Sequence, residues 1–378
     1  MTTPDLIILV VALLAVVAAV VAVTLVMQVR AAVGRRSRPG ADPESQEPVV
    51  AEPADRPLPA VVINPSKFAD VEPLRAQIIR ACRELGWADP LWLETTVDDP
   101  GIGQTREALE AGADLVAACG GDGTVRCVAQ VLAGTGTALG LVPAGTGNLL
   151  ARNLDFAISR AAEISADDVG EAMRVALTGD DRRIDVGWVT VVGADGEEHE
   201  RPEERAFLVM AGMGFDAAVM ASVPEKLKAK VGPIAYFVSG ARELRGHRTR
   251  VRIDVDGESH SRRVRTVVVG NVGKLQGGLT LMPDAEVDDG YLDAISMGPR
   301  GLIGWVDIAG RLITRRGRPD GRMDHWRGRE IVLTADTPQP AQLDGDPVGD
   351  AKQLRLRVDE RALVVRVAAG APRSAASA

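Results

Sequence analysis

The segment Gly120-Gly121-Asp122-Gly123-Thr124 places one carboxylate among three glycines, directly after an apolar run. Because glycine has no Cβ, backbone N–H groups can approach phosphate oxygens there, and a helix N-terminus adds a favourable field. A phosphate would repel Asp122 unless this side chain holds Mg²⁺, hydrogen-bonds the loop or accepts a proton. The segment therefore predicts a phosphate-binding turn. A tight structural turn with a helix cap is the alternative.

A second glycine-rich turn, PAGTGN at 143–148, follows the next apolar run and precedes another helical pattern. Two such turns on successive strands would face one crevice, as a nucleotide requires. Neither turn has the Gly-Lys-Ser/Thr ending of a P-loop or the GxGxxG spacing of a dinucleotide fold. The sequence Asn64-Pro65-Ser66-Lys67, after the first strand, is a third candidate for the same edge.

The elements that must position these turns alternate between strand and helix. Apolar patterns predict strands at 60–63, 91–94, 114–118 and 138–142, and helices at 72–85, 104–110 and 125–132. This alternation is typical of βαβ units in a parallel sheet, whose ligands bind beyond the carboxyl ends of the strands. Residues 59–180 are therefore predicted to form a nucleotide-binding α/β domain.

After residue 180 the pattern changes to short apolar runs separated by Asp-Gly turns. It predicts an antiparallel, β-sandwich-like second domain over 181–370, followed by a disordered tail at 371–378. A helical insertion at 224–246 carries lysines beside apolar residues. It could rest on an anionic leaflet; an ordinary amphipathic helix covering the domain is the alternative.

The N-terminal residues predict an anchor and a tether. The run Leu6–Met27 is apolar except for Thr24, which is long enough for one transmembrane helix, and arginines follow it. We expect an uncleaved anchor at 1–30, a disordered Pro-rich and acidic tether at 31–58, and a single-pass protein of the cell membrane with its catalytic body in the cytoplasm. A cleaved signal peptide is the alternative.

The composition narrows the classes of partner. The chain has 378 residues and a formal net charge of −8, which argues against nucleic acid. Its cysteines, Cys82, Cys119 and Cys127, lack the spacing of a metal site, and we expect them to be reduced and structural. The sequence has no histidine or cysteine cluster that would predict a zinc centre.

Five motifs in fixed order resemble the diacylglycerol kinase catalytic family, which includes bacterial lipid kinases and sphingosine kinases. They are INPSK at 63–67, GGDGT at 120–124, PAGTGN at 143–148, PDAEVDDGYLD at 283–293 and LDGDPV at 343–348. The resemblance covers roughly residues 59–370. It implies a nucleotide-binding α/β domain, a β-rich second domain, and a cleft between them where ATP and a lipid meet.

The resemblance also implies site residues. It assigns ATP contacts to Asn64, Ser66, Thr96, Gly120, Gly121, Asp122, Gly123, Thr124, Gly145, Thr146 and Asn148. It assigns a structural Mg²⁺ to the loop that contains Glu286, Asp289 and Tyr291, partly through carbonyl groups. A plain hairpin turn is the alternative for that loop.

Two departures from the family pattern affect the chemistry. Bacterial relatives carry the general base as a glutamate in an Asp-Gly-Glu turn, and this chain has Asp344-Gly345-Asp346 there. Asp346 is the predicted base, one methylene shorter, and Asp122 or Asp344 could share its work. The second departure is Lys67-Phe68, where relatives often carry a small residue and glycine.

These observations predict an ATP- and Mg²⁺-dependent lipid kinase anchored in the membrane. It would transfer the γ-phosphoryl group of ATP to the hydroxyl of a diacylglycerol-like lipid in the bilayer, giving phosphatidic acid. A homodimer is a possible assembly. Two alternatives stay open: an NAD kinase-like enzyme acting on a soluble nucleotide, and a membrane-tethered nucleotide sensor without catalytic activity.

Overall fold

The structure is a computed structural model that describes residues 56–156, 164–193, 204–214, 248–274, 280–298 and 323–370. The predicted anchor, most of the predicted tether, the insertion at 224–246 and the tail at 371–378 lie outside these ranges.

The structure does not agree with the prediction of a single-pass location in the cell membrane, and this prediction is corrected. In the ranges that the structure describes, no helix is long and apolar enough to cross a bilayer. The longest described helices have 13 residues. A span needs about 20 apolar residues.

The first half of the fold is the predicted parallel sheet. Its strands are β1 (Pro59–Ile63), β2 (Leu91–Glu94), β3 (Leu115–Gly120) and β4 (Ala138–Pro143). They lie side by side in the order β4-β3-β1-β2, all parallel. Ile63 pairs with both Glu94 and Cys119, and Gly120 pairs with Pro143, so the strands end at one edge. The loops that follow them therefore meet there.

In the described ranges, five α-helices accompany this sheet. They are α1 (Glu72–Glu84), α2 (Ile102–Glu110), α3 (Asp122–Leu132), α4 (Leu149–Asn153) and α5 (Ala166–Thr178). In α1, Leu74, Ile78, Ala81 and Cys82 form one buried stripe, as helical periodicity requires. Helix α3 begins three residues before the predicted start at residue 125, because Asp122 and Gly123 already belong to its first turn.

The second half is antiparallel. Its strands are β5 (Asp180–Gly193), β6 (Arg205–Phe207), β7 (Met210–Met213), β8 (Thr249–Val255), β9 (Glu258–Val264), β10 (Thr266–Gly270), β11 (Leu292–Met297), β12 (Met323–Gly328), β13 (Glu330–Leu343) and β14 (Asp346–Val367). The two halves share one sheet, because Val365 of β14 pairs in parallel with Leu139 of β4. Because the sheet is continuous, the predicted boundary between two domains at residue 180 stays a prediction.

Strands β13 and β14 are longer than the short runs that the sequence predicts. Strand β14 spans 22 residues and pairs with β5 along most of its length. A register shift between Asp359 and Leu363 carries the strand through Glu360 and Arg361. Such a bulge accommodates extra residues without ending a strand, so the charged stretch does not break the sheet.

The core consists mainly of aliphatic side chains on both faces of the sheet. The middle strands β1, β3 and β4 are buried along their whole length. The three cysteines are buried and free, and their reduced, structural role stays a prediction. Burial raises the pKa of the Cys119 thiol to about 12, so it stays protonated at neutral pH.

Candidate active site

The two glycine-rich loops touch each other at the carboxyl edge of the parallel sheet. A Cβ on Gly145 would lie 2.7 Å from the Cα of Gly121, closer than real atoms approach. The Ala144 N–H donates to the Gly120 carbonyl at 2.9 Å. Glycine at Gly145 is therefore required by close backbone approach, and the two loops form one continuous surface.

Two predicted nucleotide contacts hold the loops in shape. Asn148 is in the left-handed region, with φ 47°, and is 6% exposed. Its Oδ1 accepts from the Gly145 N–H at 2.8 Å, and its Nδ2 donates to the Gly145 carbonyl at 2.7 Å. Thr124 is 3% exposed, and its Oγ1 would lie 2.7 Å from a Cβ on Gly120. Asn148 and Thr124 therefore contact the backbone of the loops and hold its conformation.

Asp122 joins the two loops. Its Oδ1 accepts from the N–H of Leu149, the first residue of α4, at 2.6 Å, and a Cβ on Gly147 would collide with its Oδ2. Burial raises the pKa of Asp122 to about 6; the N–H groups of Leu149 and Asn148 lower it, while the carboxylates of Asp344 and Asp346 raise it. Of the three roles that the sequence left open, hydrogen bonding to the loop is the one observed.

The loop after β1 lies beside the same glycines. The Asn64 Oδ1 accepts from the Ser66 N–H at 3.1 Å and from the Ser66 hydroxyl at 2.7 Å. A Cβ on Gly121 would lie 3.9 Å from the Lys67 Cε, so this ammonium-bearing chain lies over the glycine loop. The departure at Lys67 thus places a cationic side chain beside the first glycine-rich loop.

Two further predicted contacts lie on exposed loops. Thr96 follows β2, and its Oγ1 accepts from the Asp99 N–H at 3.0 Å. Thr146 is exposed within the second glycine-rich loop. Both residues lie at the carboxyl edge of the sheet, where the resemblance puts the nucleotide.

The Asp-Gly turn between β13 and β14 lies next to the glycine loops. Asp344 and Gly345 have φ values of 50° and 94°, the conformation of a tight two-residue hairpin. The buried carboxylate of Asp344 accepts from the N–H groups of Leu208, Val209 and Met210 at 2.9–3.0 Å. Burial raises the pKa of Asp344, and these N–H groups oppose the rise. Asp344 fastens the turn to the segment between β6 and β7.

Asp346, the predicted base, faces the first glycine-rich loop at Gly123. A Cβ on Gly123 would lie 2.9 Å from the Asp346 Oδ2, so this carboxylate is in contact with the first turn of α3. Its side chain is 52% exposed, in contrast to the 2% of Asp344. Asp346 is therefore the acid of this turn that a substrate hydroxyl could reach.

Arg126 is a residue of the candidate site that sequence reasoning does not identify. Its Nη2 lies 3.0 Å from the Asp346 Oδ2, and its Nε lies 3.9 Å from the Asp344 Oδ2. Burial lowers the pKa of Arg126, but the carboxylates of Asp344 and Asp346 raise it. The resulting pKa is above the ordinary value of arginine. The only signal in the sequence is a lone cation in the otherwise apolar part of the α3 pattern, one turn after Asp122.

The residues of the predicted metal loop lie in the segment before β11. The Asp289 Oδ2 lies 2.5 Å from the Arg327 Nη2, and the Asp289 Oδ1 accepts from the Tyr291 N–H at 3.0 Å. Burial raises the pKa of Asp289 to about 6, and Arg327 opposes the rise. In the ranges described, no group of three or more His, Cys, Asp or Glu side chains is arranged to hold a metal ion.

A parallel sheet with two touching glycine-rich loops, and an acid from the antiparallel half set against them, is an arrangement suited to a nucleotide-dependent phosphotransferase. The comparisons agree. The profile of the Diacylglycerol kinase catalytic domain matches residues 61–189, and that of the YegS C-terminal NAD kinase beta sandwich-like domain matches residues 209–367.

Relatives extend this similarity over most of the chain. A "Probable lipid kinase YegS-like" of Pseudomonas aeruginosa (strain UCBPP-PA14) is 33% identical over 270 residues, which are 70% of this chain and 80% of the relative. The "Diacylglycerol kinase" of Bacillus subtilis (strain 168) is 26% identical over 290 residues, 76% of this chain and 88% of the relative. The chain belongs to the diacylglycerol kinase catalytic-domain family and is an ATP-dependent lipid kinase.

A solved structure shares the fold. The crystal structure of a diacylglycerol kinase from Bacillus anthracis str. Sterne has a TM-score of 0.60 at 21% identity, covering 82% of this chain and 97% of that chain. The mixed fold, with a parallel sheet core and an antiparallel, sandwich-like C-terminal part, is thereby confirmed.

Proposed function

We propose that this kinase transfers the γ-phosphoryl group of ATP to the hydroxyl of a diacylglycerol-like lipid, giving phosphatidic acid. The observation that carries the proposal is the position of Asp346, in contact with Gly123 and paired with Arg126 at 3.0 Å. The lipid acceptor is supported by the names of the relatives.

The nucleotide is assigned to the surface formed by the two glycine loops. Gly121 and Gly145 have no side chains of their own, so phosphate oxygens can approach the loop backbone closely, while the Gly145 N–H already donates to the Asn148 Oδ1. The ammonium group of Lys67 adds positive charge on the same side. Asp122 holds the second loop against the first through its bond to Leu149.

The acceptor hydroxyl is assigned to the side of Asp346. In the reaction, the hydroxyl oxygen forms a bond to the γ-phosphorus, the bond to the β-phosphate oxygen breaks, and ADP leaves. Asp346 orients the hydroxyl and accepts its proton, while Arg126 fixes the direction of this shorter carboxylate. Phosphoryl transfer depends mostly on positioning and charge neutralisation, so a base with a fixed position is sufficient.

We propose that Mg²⁺ binds together with ATP. When bound, it neutralises charge on the β- and γ-phosphate oxygens. Carboxylate oxygens suit this ion, and Asp122 and Asp346 are the carboxylates in contact with the glycine loops.

Transfer of labelled γ-phosphate from ATP to a mixed lipid extract in micelles tests the proposal. Wild type should label a lipid that comigrates with phosphatidic acid when diacylglycerol is supplied, and Asp346→Ala should abolish the label. Asp350→Ala removes an exposed acid of the same strand and serves as the matched control. Label in NAD instead of lipid would favour a soluble-nucleotide kinase. ATP binding without any transfer would favour a sensor.

A further inference from the structure

Both carboxylate oxygens of Asp289 are already engaged. Its side chain is only 5% exposed, and Oδ2 lies 2.5 Å from the Arg327 Nη2. Oδ1 accepts from the Tyr291 N–H at 3.0 Å. The carboxylates of Asp293 and Asp185 add negative charge nearby. A buried carboxylate in such a field requires a cation, and the guanidinium group supplies one.

Arg327 is held in place for this role. It lies on β12 and pairs with Asp293 of β11, so its backbone belongs to the sheet. Its guanidinium carbon lies 4.5 Å from the centroid of the Tyr291 ring, a cation–π contact. Arg329 lies 5.4 Å from the same centroid and forms an ion pair with Glu360 at 3.2 Å. The Tyr291 ring and the Asp289 carboxylate together limit where the Arg327 side chain can go.

Hydrogen bonds and an ion pair fasten the rest of the loop, although the buried Asp288 Oδ1 and Asp293 Oδ2 accept no hydrogen bond. The Asp185 Oδ2 accepts from the Gly290 N–H at 2.6 Å, and its Oδ1 accepts from the Arg361 N–H at 2.7 Å. Asp288 forms an ion pair with Arg182 at 3.2 Å. A divalent ion at Asp289 would have to displace the guanidinium group or share the carboxylate with it at contact distance. At Asp289, the residues present therefore do not fit the structural Mg²⁺ that the family resemblance implies.

We propose that Arg327 takes the place of a structural divalent cation at Asp289, so that the loop of residues 286–291 folds without Mg²⁺. The need of this enzyme for Mg²⁺ is then confined to the nucleotide. Its folded state should be insensitive to chelators as long as ATP is absent.

Thermal unfolding of the full chain without nucleotide tests this proposal. Wild type is compared in EDTA and in increasing MgCl₂ at constant ionic strength. The Tm should not change in a saturable way, and calorimetric titration with Mg²⁺ should show no saturable heat. Asp289→Asn serves as the control for any binding that does occur at the loop.

The role of Arg327 is tested by a matched pair of variants. Arg327→Gln should lower the Tm in EDTA, by on the order of 3 °C, and saturating Mg²⁺ should restore part of the loss. Arg329→Gln removes the other arginine over the Tyr291 ring but leaves Asp289 paired, so it should acquire no response to Mg²⁺.

Two results would overturn the proposal. One is a saturable Mg²⁺-dependent rise in the Tm of wild type that Asp289→Asn abolishes. The other is an Arg327→Gln protein whose Tm in EDTA equals that of wild type. If Arg327→Gln does not fold, the wild-type titration and its Asp289→Asn control decide the question alone.

Discussion

Arg126 and Asp346 form an ion pair of 3.0 Å between residues that are 220 positions apart. The pair joins α3, which follows the first glycine-rich loop, to the hairpin between β13 and β14. It determines where the carboxylate of Asp346 points, although this side chain is one methylene shorter than the glutamate expected by resemblance. A side chain on Gly123 would displace that carboxylate, so the glycine and the acid are matched to each other.

Arg126→Gln should reduce kcat by about 10²-fold, because the base would lose its fixed direction. The KM for ATP should change little, since the glycine loops remain. Arg126→Lys should recover part of kcat, because it restores the charge but not the planar fork. Steady-state kinetics of lipid phosphorylation provide both parameters. Arg106→Gln, at an exposed position of α2, is the control, and an equal loss in that variant would contradict the prediction.

Gly145→Ala should abolish ATP binding, because its Cβ would lie 2.7 Å from the Gly121 Cα and force the two loops apart. Equilibrium binding of a fluorescent ATP analogue measures the loss. Gly170→Ala, in the interior of α5, is the matched control because its Cβ would lie 3.7 Å from the nearest atom. That variant should bind normally and gain about 0.5–1 kcal/mol of stability. Normal nucleotide binding by Gly145→Ala would refute the contact between the loops.

The pKa of Asp122 provides a test of the site's electrostatics. Burial raises it to about 6, and the Asp346 carboxylate adds to the rise. The carboxyl carbon of Asp122 should therefore titrate near pH 6 in an NMR experiment on protein with labelled aspartate. Asp346→Asn should shift that midpoint towards the ordinary value near 4. An Asp122 midpoint near 4 in wild type would show that the carboxyl group is hydrated.

The same shift affects stability with a defined sign. Because the folded-state pKa of Asp122 is raised, its contribution to the free energy of unfolding is present below about pH 4 and is lost as pH rises through about 6. The stability of wild type relative to Asp122→Asn should therefore fall between pH 4 and pH 7. Urea unfolding of both proteins at several pH values measures this difference. A difference that is constant with pH would contradict the raised pKa.

Asp344→Ala should lower the free energy of unfolding by about 3 kcal/mol. The change leaves three backbone N–H groups without their acceptor and removes a charge beside Arg126. Urea denaturation measures the loss. Asp350→Ala, at an exposed position of β14, should change stability by less than about 0.5 kcal/mol. Similar losses for the two variants would mean that Asp344 is not the fastening point of the turn.

Much of the parallel half could be predicted from local pattern. Buried strands such as β1 and β3 are apolar throughout, and the helices between them carry 3.6-residue stripes such as that of α1. The glycine-rich turns are also local signals, because the backbone approach that they allow depends on the residue type itself. Helix α3 begins earlier than the pattern predicts, because glycine and aspartate are poor helix formers in isolation and yet form its first turn.

Other features depended on contacts that a linear pattern does not contain. The length of β14 follows from its neighbours β5 and β13, which continue to pair across a charged bulge. The apolar run at Leu6–Met27, outside the described ranges, predicts a location in the membrane, whereas no described helix is long and apolar enough for a span.

By itself, the sequence determined the residue types that this chemistry requires: three glycine-rich or polar loops at strand ends, and an acid in an Asp-Gly turn. Tertiary structure alone decided which acid is exposed and which is buried, and which arginine each acid meets. Asp344 and Asp346 are two residues apart, yet one is fastened by backbone N–H groups and the other faces Gly123. The reason is physical: burial and charge pairing depend on distances in space, and the partners Arg126 and Arg327 come from distant positions in the chain.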